Sequence, residues 1–379
     1  MKILIAGGGT GGHVFPGIAV AEELKRRTPE AKVFFVGGKR GLESTAVPQA
    51  GFPIRYIPTR GFPRRQWWRW PESIVVNAFG FVAALWIVLT ERPDAVLGTG
   101  GYVSGPVSFA AWLLRRPLLI QEQNSIPGLA NRWLARVADE GHLSFVEARS
   151  YFARKDNLKI SGNPVRAHIL SGDRASALAE FGLQAGKPTV FVFGGSRGAK
   201  RINEAALEAM RKLQGRVDVQ FILQTGREDF ERMKTAVETE TLPAKVMPFL
   251  QRIHQAYAAA DLVVCRSGAM TLAEIAVCGT PAVLVPYPFA AHNHQVVNAS
   301  NLVDRGAAAM ILDRDLTGDR LAKEIAHYLA DRQLLSRLSA NARLFARPDA
   351  AERIAKSLER WALGTVNEVP IESYEDGGV

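Results

Sequence analysis

Between Gly7 and Gly12, five of six residues are glycine, and His13 closes the run. A glycine inside regular structure costs about 0.5–1 kcal/mol relative to alanine, so five together need a reason. Lys2 to Ala6 reads as a short buried strand. Pro16 to Leu24 reads as the opening of a helix, with Ile18, Val20, Ala21 and Leu24 apolar. Strand, glycine turn and helix form a corner where backbone N–H groups and the positive helix end face an anion. A tight turn without a ligand is the plainer reading, although two glycines suffice for turning. His13 adds an imidazole that exchanges a proton near neutral pH, the property required of a general base.

Three ligand classes compete for this corner. Gly7, Gly9 and Gly12 fit the G-x-G-x-x-G dinucleotide pattern, which expects an acidic residue about 20 residues on, at the end of the second strand. That strand, Val33-Phe34-Phe35-Val36, ends in Gly37-Gly38-Lys39, so the acid is missing and a nicotinamide or flavin is disfavoured. A P-loop would need Lys and then Ser or Thr after the last glycine, where this chain has His13-Val14. What remains is a substrate that approaches glycine backbone with His13 beside its reactive atom.

Strand-like runs at Ile3–Ala6, Val33–Val36, Ile54–Ile57, Ala95–Gly98, Leu118–Gln121 and Leu158–Ser161 alternate with helical stretches, which predicts a parallel, doubly wound sheet. The pattern restarts at "PTVFVFGGSRGAKRINEAALEAM", Pro188–Met210, again strand, glycine turn and helix. Strands at Val219–Gln224, Lys245–Met247, Leu262–Cys265, Ala282–Val285 and Ala307–Ile311 follow. The fold class is therefore α/β, with two Rossmann-like doubly wound domains facing across a cleft. Pro164, in "SGNPVR", marks the joint, giving domains at 1–163 and 164–345. A helix at 346–363 is expected to return to the first domain, and 364–379, acidic without a base, is expected to be a disordered tail.

At 379 residues the chain is long enough for two domains, and 47% hydrophobic with 22% charged residues suits a soluble globule. Cys265 and Cys278 match no metal or disulfide spacing, which fits a reducing cytosol, and the N-terminus lacks a signal-peptide pattern. The net charge of +10 is unevenly placed. Arg55, Arg60, Arg64, Arg65 and Arg69 lie between Gly51 and Pro71 without an acid, interleaved with Trp67, Trp68 and Trp70. The 17 residues Ile74–Thr90 then carry no charge, although they include Asn77 and Gly80. Three readings stay open: a buried core helix, a short membrane span, or an apolar face that lies on lipid with arginines on anionic headgroups. Single-stranded nucleic acid also suits a basic, aromatic stretch, but the adjoining apolar run favours lipid, so no nucleic-acid partner is expected.

Six ordered motifs, "GGGTGGHVFPGIAVAEEL", "GTGGYVSGP", "QEQNSIPGLANRWLA", "SGNPVR", "FGGSRGA" and "CRSGAMTLAEIAVCGTPAVLVPYP", resemble one family. It is that of the bacterial peptidoglycan N-acetylglucosaminyltransferases that act on undecaprenyl-linked muramoyl-pentapeptide, with the glycosyltransferase type B fold. The resemblance runs from about Met1 to Leu363. It implies UDP-N-acetylglucosamine as donor, an undecaprenyl-linked acceptor, inversion at the anomeric carbon, and no cofactor or metal. It also implies a peripheral location at the cytoplasmic face of the plasma membrane, with cell-wall synthesis proteins as partners.

Residue by residue, the resemblance implies His13 as catalytic base, or as a residue that only bonds the substrate or locks the glycine turn. Thr10, Gly11 and Gly12 approach the acceptor or donor diphosphate side of the cleft, and Asn124 contacts the donor. Arg166 and Ser196 meet phosphate, with Gly194-Gly195-Ser196 opening a helix. Leu250 lies by the uracil. Ala269, Met270, Thr271, Leu272, Ala273 and Glu274 form the turn and helix at the ribose, where a carboxylate accepts two hydroxyls. Gln295 and Asn298 sit near the sugar and diphosphate, Gly101-Tyr102 makes another glycine corner in the acceptor half, Arg266 shares the phosphate or holds its loop, and Glu122 and Asn131 are secondary candidates. Asp313-Arg314-Asp315 has the D-x-D form of metal-dependent transferases, but Thr317 reads as an N-cap that makes it a helix-entry loop. His292 and His294, spaced by two, are a poor metal pair. Rival readings are another type B lipid transferase, such as a diglyceride glucosyltransferase, and a membrane-surface protein that binds a UDP-sugar without transfer.

Overall fold

A run such as Lys2-Ile3-Leu4-Ile5-Ala6-Gly7, with Ile3 to Ala6 fully buried, suits a strand covered on both faces, as parallel sheets between helices require. The computed structural model describes residues 1–61, 68 and 70–365. Its first sheet contains β1 (Lys2–Gly7), β2 (Lys32–Gly37), β3 (Ile54–Tyr56), β4 (Ala95–Gly100), β5 (Leu118–Glu122), β6 (Glu140–Leu143) and β7 (Leu158–Ile160). Their order is 3-2-1-4-5-6-7, all parallel. Helices α1 (Gly11–Arg27), α2 (Glu43–Gln49), α3 (Trp70–Glu91), α4 (Gly101–Leu113) and α5 (Leu129–Leu134) connect them.

The second unit opens with α6 (Arg174–Phe181). Its sheet contains β8 (Thr189–Phe193), β9 (Gln220–Gln224), β10 (Ala244–Met247), β11 (Leu262–Cys265), β12 (Ala282–Leu284) and β13 (Ala309–Met310), in the parallel order 10-9-8-11-12-13. The helices are α7 (Lys200–Leu213), α8 (Phe230–Thr239), α9 (Ile253–Ala259), α10 (Ala269–Cys278), α11 (His294–Val303), α12 (Gly318–Ala330), α13 (Arg332–Leu344) and α14 (Ala350–Leu363). Strand order reverses between β1 and β4 and again between β8 and β11. Crevices open there at the carboxyl ends of the strands. The chain passes between the sheets through residues 161–166, and Val165 and Ile169 already belong to the second core.

Expected strand boundaries fall within two residues of the observed ones, with two element-level corrections. The first helix starts at Gly11, inside the glycine run, so Pro16 is an interior residue. Proline's missing N–H forgoes only the bond to the Gly12 carbonyl, and its fixed φ is helical. Strand β6, Glu-Gly-His-Leu, lies outside the expected strand runs, because two of its four residues, Glu140 and His142, are polar and one is glycine. Both are buried because their partners come from elsewhere in the chain.

Helix α3 is long and apolar enough to cross a membrane by length and composition alone. It is not a core helix. Only Ser73, Gly80, Ala84 and Val88 are buried, a single stripe, while Phe79 and Trp86 are 67% and 69% exposed. Its two odd residues are its attachments. A Cβ on Gly80 would lie 2.1 Å from the Pro58 carbonyl oxygen, so only glycine permits that approach. The Asn77 amide accepts from Arg60 N–H at 3.1 Å and donates to Arg60 C=O at 2.9 Å. Arg64, Arg65, Trp67 and Arg69, with the tail from 366 onward, lie outside the described residues.

Helix α14 returns to the first sheet. Ile354, Ala355 and Leu358 are fully buried against the cluster containing Ile3, Ile5, Leu97 and Leu119. Burial of Ile354 and Leu358 contributes about 2 kcal/mol each. The helix is also pinned electrostatically, because Glu140 accepts from Ser357 Oγ at 2.6 Å and Trp361 Nε1 at 3.2 Å. Lys159 Nζ lies 2.9 Å and His142 Nε2 3.2 Å from the same carboxylate. Burial alone would raise this carboxyl's pKa; His142, Ser357 and Lys159 outweigh it and hold it well below the usual range. A depressed folded pKa contributes stability above the ordinary glutamate range that is lost as pH falls through it. Glu140→Ala should therefore lower unfolding free energy at pH 7 by about 3 kcal/mol, measured by denaturant titration, with the gap narrowing below about pH 4.

Candidate active site

At the first crevice β1 ends in Gly7 and β4 in Thr99-Gly100. Register places Ala6 opposite Gly98 but Gly7 opposite Gly100, so Thr99 is a bulged extra residue. The bulge turns Thr99 toward α1. Thr99 Oγ1 donates to the His13 carbonyl at 2.7 Å, and the Thr99 carbonyl lies 3.2 Å from His13 Nδ1. Gln123 Oε1, just past β5, is 3.0 Å from the same nitrogen. A backbone carbonyl only accepts, so Nδ1 carries the proton and Nε2 keeps its lone pair. Among the described residues, no hydrogen-bond partner falls to Nε2.

The glycines prove to serve the corner itself as much as any ligand. A Cβ on Gly7 would sit 1.9 Å from Thr99 Oγ1, and one on Gly8 2.4 Å from Glu43 Oε1. Gly9 has φ +91° and faces Tyr102, whereas a Cβ on Gly12 would meet only Thr10 Oγ1, at 3.6 Å. Glu43 is fully buried on α2 and accepts from Gly9 N–H at 2.8 Å and Gly38 N–H at 2.9 Å. It clamps two glycine turns with one carboxylate, and nothing in the sequence pattern marked it. The expected "GTGG" corner is present and needs its glycines for the same reason. Gly100 has φ +97°, and a Cβ there would lie 2.8 Å from His13 Nδ1.

Four helices of ten residues or more open on glycine-bearing turns without a side-chain cap: α1 after Thr10, α4 after Gly100, α7 after Ala199 and α10 after Gly268. Their first N–H groups are unsatisfied within the helix and carry its positive end. Helix α7 begins at Lys200, so Gly194-Gly195-Ser196 forms the loop before it and does not open it. Gln224 organises this loop, donating to the Gly195 carbonyl at 3.0 Å and accepting from Leu250 N–H at 3.2 Å. Leu250 is buried with its N–H thus engaged, while neighbouring Phe249 is exposed.

Ala269, Met270, Thr271, Leu272, Ala273 and Glu274 make up the first turns of α10. Burial pushes the Glu274 carboxyl upward in pKa, against the charge of Arg166 and the Tyr257 hydroxyl, which donates to Oε2 at 3.1 Å. Arg166 Nη2 lies 3.7 Å from Glu274 Oε1, and its guanidinium sits 4.7 Å from the Phe15 ring centre on α1. Arg166 therefore joins the two units. Its Nε is buried without a protein partner among the described residues. On α11, Gln295 accepts from Tyr287 N–H at 2.9 Å. Asn298 is fully buried, accepting from Ser125 N–H at 3.0 Å and donating to Asn124 Oδ1 at 3.3 Å. The buried Glu122 receives Asn131 Nδ2 at 2.9 Å and Gly128 N–H at 3.0 Å, holding the loop that bears Asn124.

Asp313 is engaged by cations. Arg266 Nη1 lies 2.5 Å from Oδ1 and Arg201 Nε 3.6 Å from Oδ2, while Thr317 Oγ1 accepts from Arg320 N–H as the cap of α12. Among the described residues, no group of three or more His, Cys, Asp or Glu could hold a metal ion.

Two doubly wound domains with facing glycine corners define the glycosyltransferase type B architecture. Residues 3–142 match the glycosyltransferase family 28 N-terminal domain, and residues 189–354 the family 28 C-terminal domain. The chain belongs to glycosyltransferase family 28. It is 44% identical over 363 residues to the UDP-N-acetylglucosamine–N-acetylmuramyl-(pentapeptide) pyrophosphoryl-undecaprenol N-acetylglucosamine transferase of Prosthecochloris aestuarii, spanning 94% of this chain and 97% of that one. It is 39% identical to the protein of the same name from Myxococcus xanthus, over 98% and 97% of the two chains. The crystal structure of Acinetobacter baumannii MurG superimposes with a TM-score of 0.73 at 30% identity, covering 95% of this chain and 99% of that one.

Gly100→Ala tests the corner. Its backbone lies in a region that only glycine occupies cheaply, so the change should cost about 1–3 kcal/mol and displace His13. The expected result is a lower melting temperature and transfer activity reduced far more than UDP affinity, read by thermal scan, activity assay and calorimetry.

Proposed function

We propose that this protein is an inverting transferase that moves N-acetylglucosamine from UDP-N-acetylglucosamine to the C4 hydroxyl of undecaprenyl-pyrophosphoryl-N-acetylmuramoyl-pentapeptide, the lipid I to lipid II step of peptidoglycan synthesis. The relatives bear that activity in their names over nearly the whole chain. The observation that carries the reading is a histidine with Nδ1 already bonded, two residues from Phe15, whose ring meets Arg166, the partner of Glu274, across the cleft.

His13 Nε2 takes the acceptor hydroxyl proton as that oxygen attacks the anomeric carbon. The bond from that carbon to the diphosphate breaks, UDP leaves with the electron pair, and configuration inverts. The departing charge is met by the uncapped starts of α10 and α7, with Ser196, by Thr10-Gly11-Gly12 from the opposite side, and by the free Nε–H of Arg166. Glu274 retains lone pairs beyond those used by Tyr257 and Arg166, and these receive the ribose hydroxyls. The uracil lies along the backbone at Leu250, beside Phe249. Because Gln295 Oε1 is taken by Tyr287 N–H, its NH₂ is the group offered to the sugar, with Asn124 from the other unit. The first unit serves the acceptor and the second the donor.

The exposed face of α3, with Ile74, Val75, Phe79, Val82, Trp86 and Leu89, supports peripheral docking at the cytoplasmic face of the plasma membrane, where the acceptor lipid resides. Arg55 and Arg60 stand at its border paired with Glu91 and Glu72, so the apolar side chains carry the docking there.

Purified protein should transfer labelled N-acetylglucosamine to the undecaprenyl-linked muramoyl-pentapeptide and not to diacylglycerol; the opposite preference would refute the assignment. Glu274→Ala should weaken UDP binding about tenfold or more by calorimetry while leaving acceptor binding intact, since charge-assisted bonds are lost. Phe79→Asp with Trp86→Asp should abolish cosedimentation with anionic vesicles yet preserve turnover of a water-soluble acceptor analogue.

A further inference from the structure

Gln123 is 1% exposed and stands at the end of β5, within reach of His13. Its amide orientation is settled by its neighbours. Nε2 donates to the Thr99 carbonyl at 2.7 Å and approaches the Gln121 carbonyl at 3.3 Å, and both of these only accept. Nε2 also meets Gln121 Oε1, whose own amide nitrogen donates to Asn163 Oδ1 at 3.1 Å and Ser144 Oγ at 3.2 Å. The NH₂ end of Gln123 is thus fully committed, and Oε1 is the end that faces the imidazole. Reversing the amide would set an N–H against the Nδ1–H and an oxygen against the Thr99 carbonyl.

We propose that Gln123 is a positioning residue of the transfer site, whose side-chain oxygen shares the Nδ1 proton of His13 with the Thr99 carbonyl and, as the nearer acceptor, secures the tautomer that leaves Nε2 as proton acceptor. The inference rests on the reading of His13 as base. A neutral amide does this without placing a charge beside the ring, so proton uptake at Nε2 is not opposed by a permanent ion pair. The ionisable groups on the surrounding elements are engaged elsewhere. Glu43 bonds Gly9 and Gly38, Glu122 bonds Asn131 and Gly128, Tyr102 packs on Gly9, and Arg166 faces Glu274 and, on α1, Glu22.

The same network reaches the donor side. Asn163, in the connection between the two units, donates from Nδ2 to the Gln123 carbonyl at 3.1 Å and to the Ala269 carbonyl at 3.3 Å. Ala269 is the first residue of α10. Gln123 therefore orients the base from a frame that also holds the start of the donor helix.

The test is nitrogen-15 NMR of the His13 ring in the full-length protein without substrates, beside pH–rate profiles. Gln123→Met keeps the length and removes the acceptor. It leaves the longer contact to the Thr99 carbonyl as the remaining Nδ1 acceptor, so the second tautomer should rise to a detectable minor share and kcat should fall between about ten- and a hundredfold, with KM for UDP-N-acetylglucosamine little changed. Gln123→Glu restores an acceptor with charge and should raise the His13 titration midpoint, and the acid limb of kcat/KM with it, by about one to three pH units. Thermal unfolding and UDP binding confirm the fold of each variant, and the Glu substitution decides the matter where the Met variant does not fold. An unchanged His13 tautomer in the first and an unmoved midpoint in the second would overturn the proposal. A His13 ring that responds in both while kcat and the pH–rate profile stay constant would sustain the tautomer assignment and sink the base assignment instead.

Discussion

Thr99 is one residue too many for its strand, and the first crevice depends on that surplus. The bulge lets one residue act on α1 twice, its hydroxyl on the His13 carbonyl and its own carbonyl on the His13 ring. Helix start and imidazole are thereby referenced to the same point on β4. Gly7 must lack a side chain because Thr99 Oγ1 occupies that space, and Gly100 must lack one because His13 does. Two glycine-rich motifs separated by some ninety residues are thus two sides of one close approach.

The cleft follows from topology. Each sheet reverses strand order once, so each opens a crevice at the carboxyl ends of its central strands. The units meet through polar contacts: Asn298 with Ser125 and Asn124, Asn301 with Ser125, Asn163 with Ala269, and Arg166 between Phe15 and Glu274. Such an interface suits parts that change their separation around a substrate, since polar groups can exchange one another for water at small net cost. Helix α14, packed on the first sheet through Ile354 and Leu358 and pinned by Glu140, ties the chain's end back across that joint.

Helix α3 shows how polar residues organise an apolar surface. Asn77 and Gly80 argue against a plain membrane span when read in order along the chain. In three dimensions they fasten the helix to the Pro58–Arg60 segment. With one stripe held to the protein, the opposite face, from Ile74 through Leu89, is left outward. An exposed apolar surface of that composition marks an interaction site.

Much of this protein is decided by local pattern. Alternation of buried strand runs with helices was legible, as were the glycine corners, the restart of the fold near Pro188, and the membership of His13 and Glu274 in ordered motifs. Those features are visible because period, turn chemistry and motif spacing act over neighbouring residues. Glu43, Gln123 and Asn163 are different: each is a polar residue whose partners lie on other elements. Strand β6 escaped notice for the same reason, since Glu140 and His142 look solvent-bound until Lys159, Ser357 and Trp361 are brought to them. Even the glycines changed meaning, from room for a ligand to room for Thr99, Glu43 and His13. The sequence by itself determined which elements form and where chemistry gathers. Only the tertiary structure decided which buried polar groups are satisfied and how the imidazole is turned, because a hydrogen bond depends on distances between atoms that chain order leaves open.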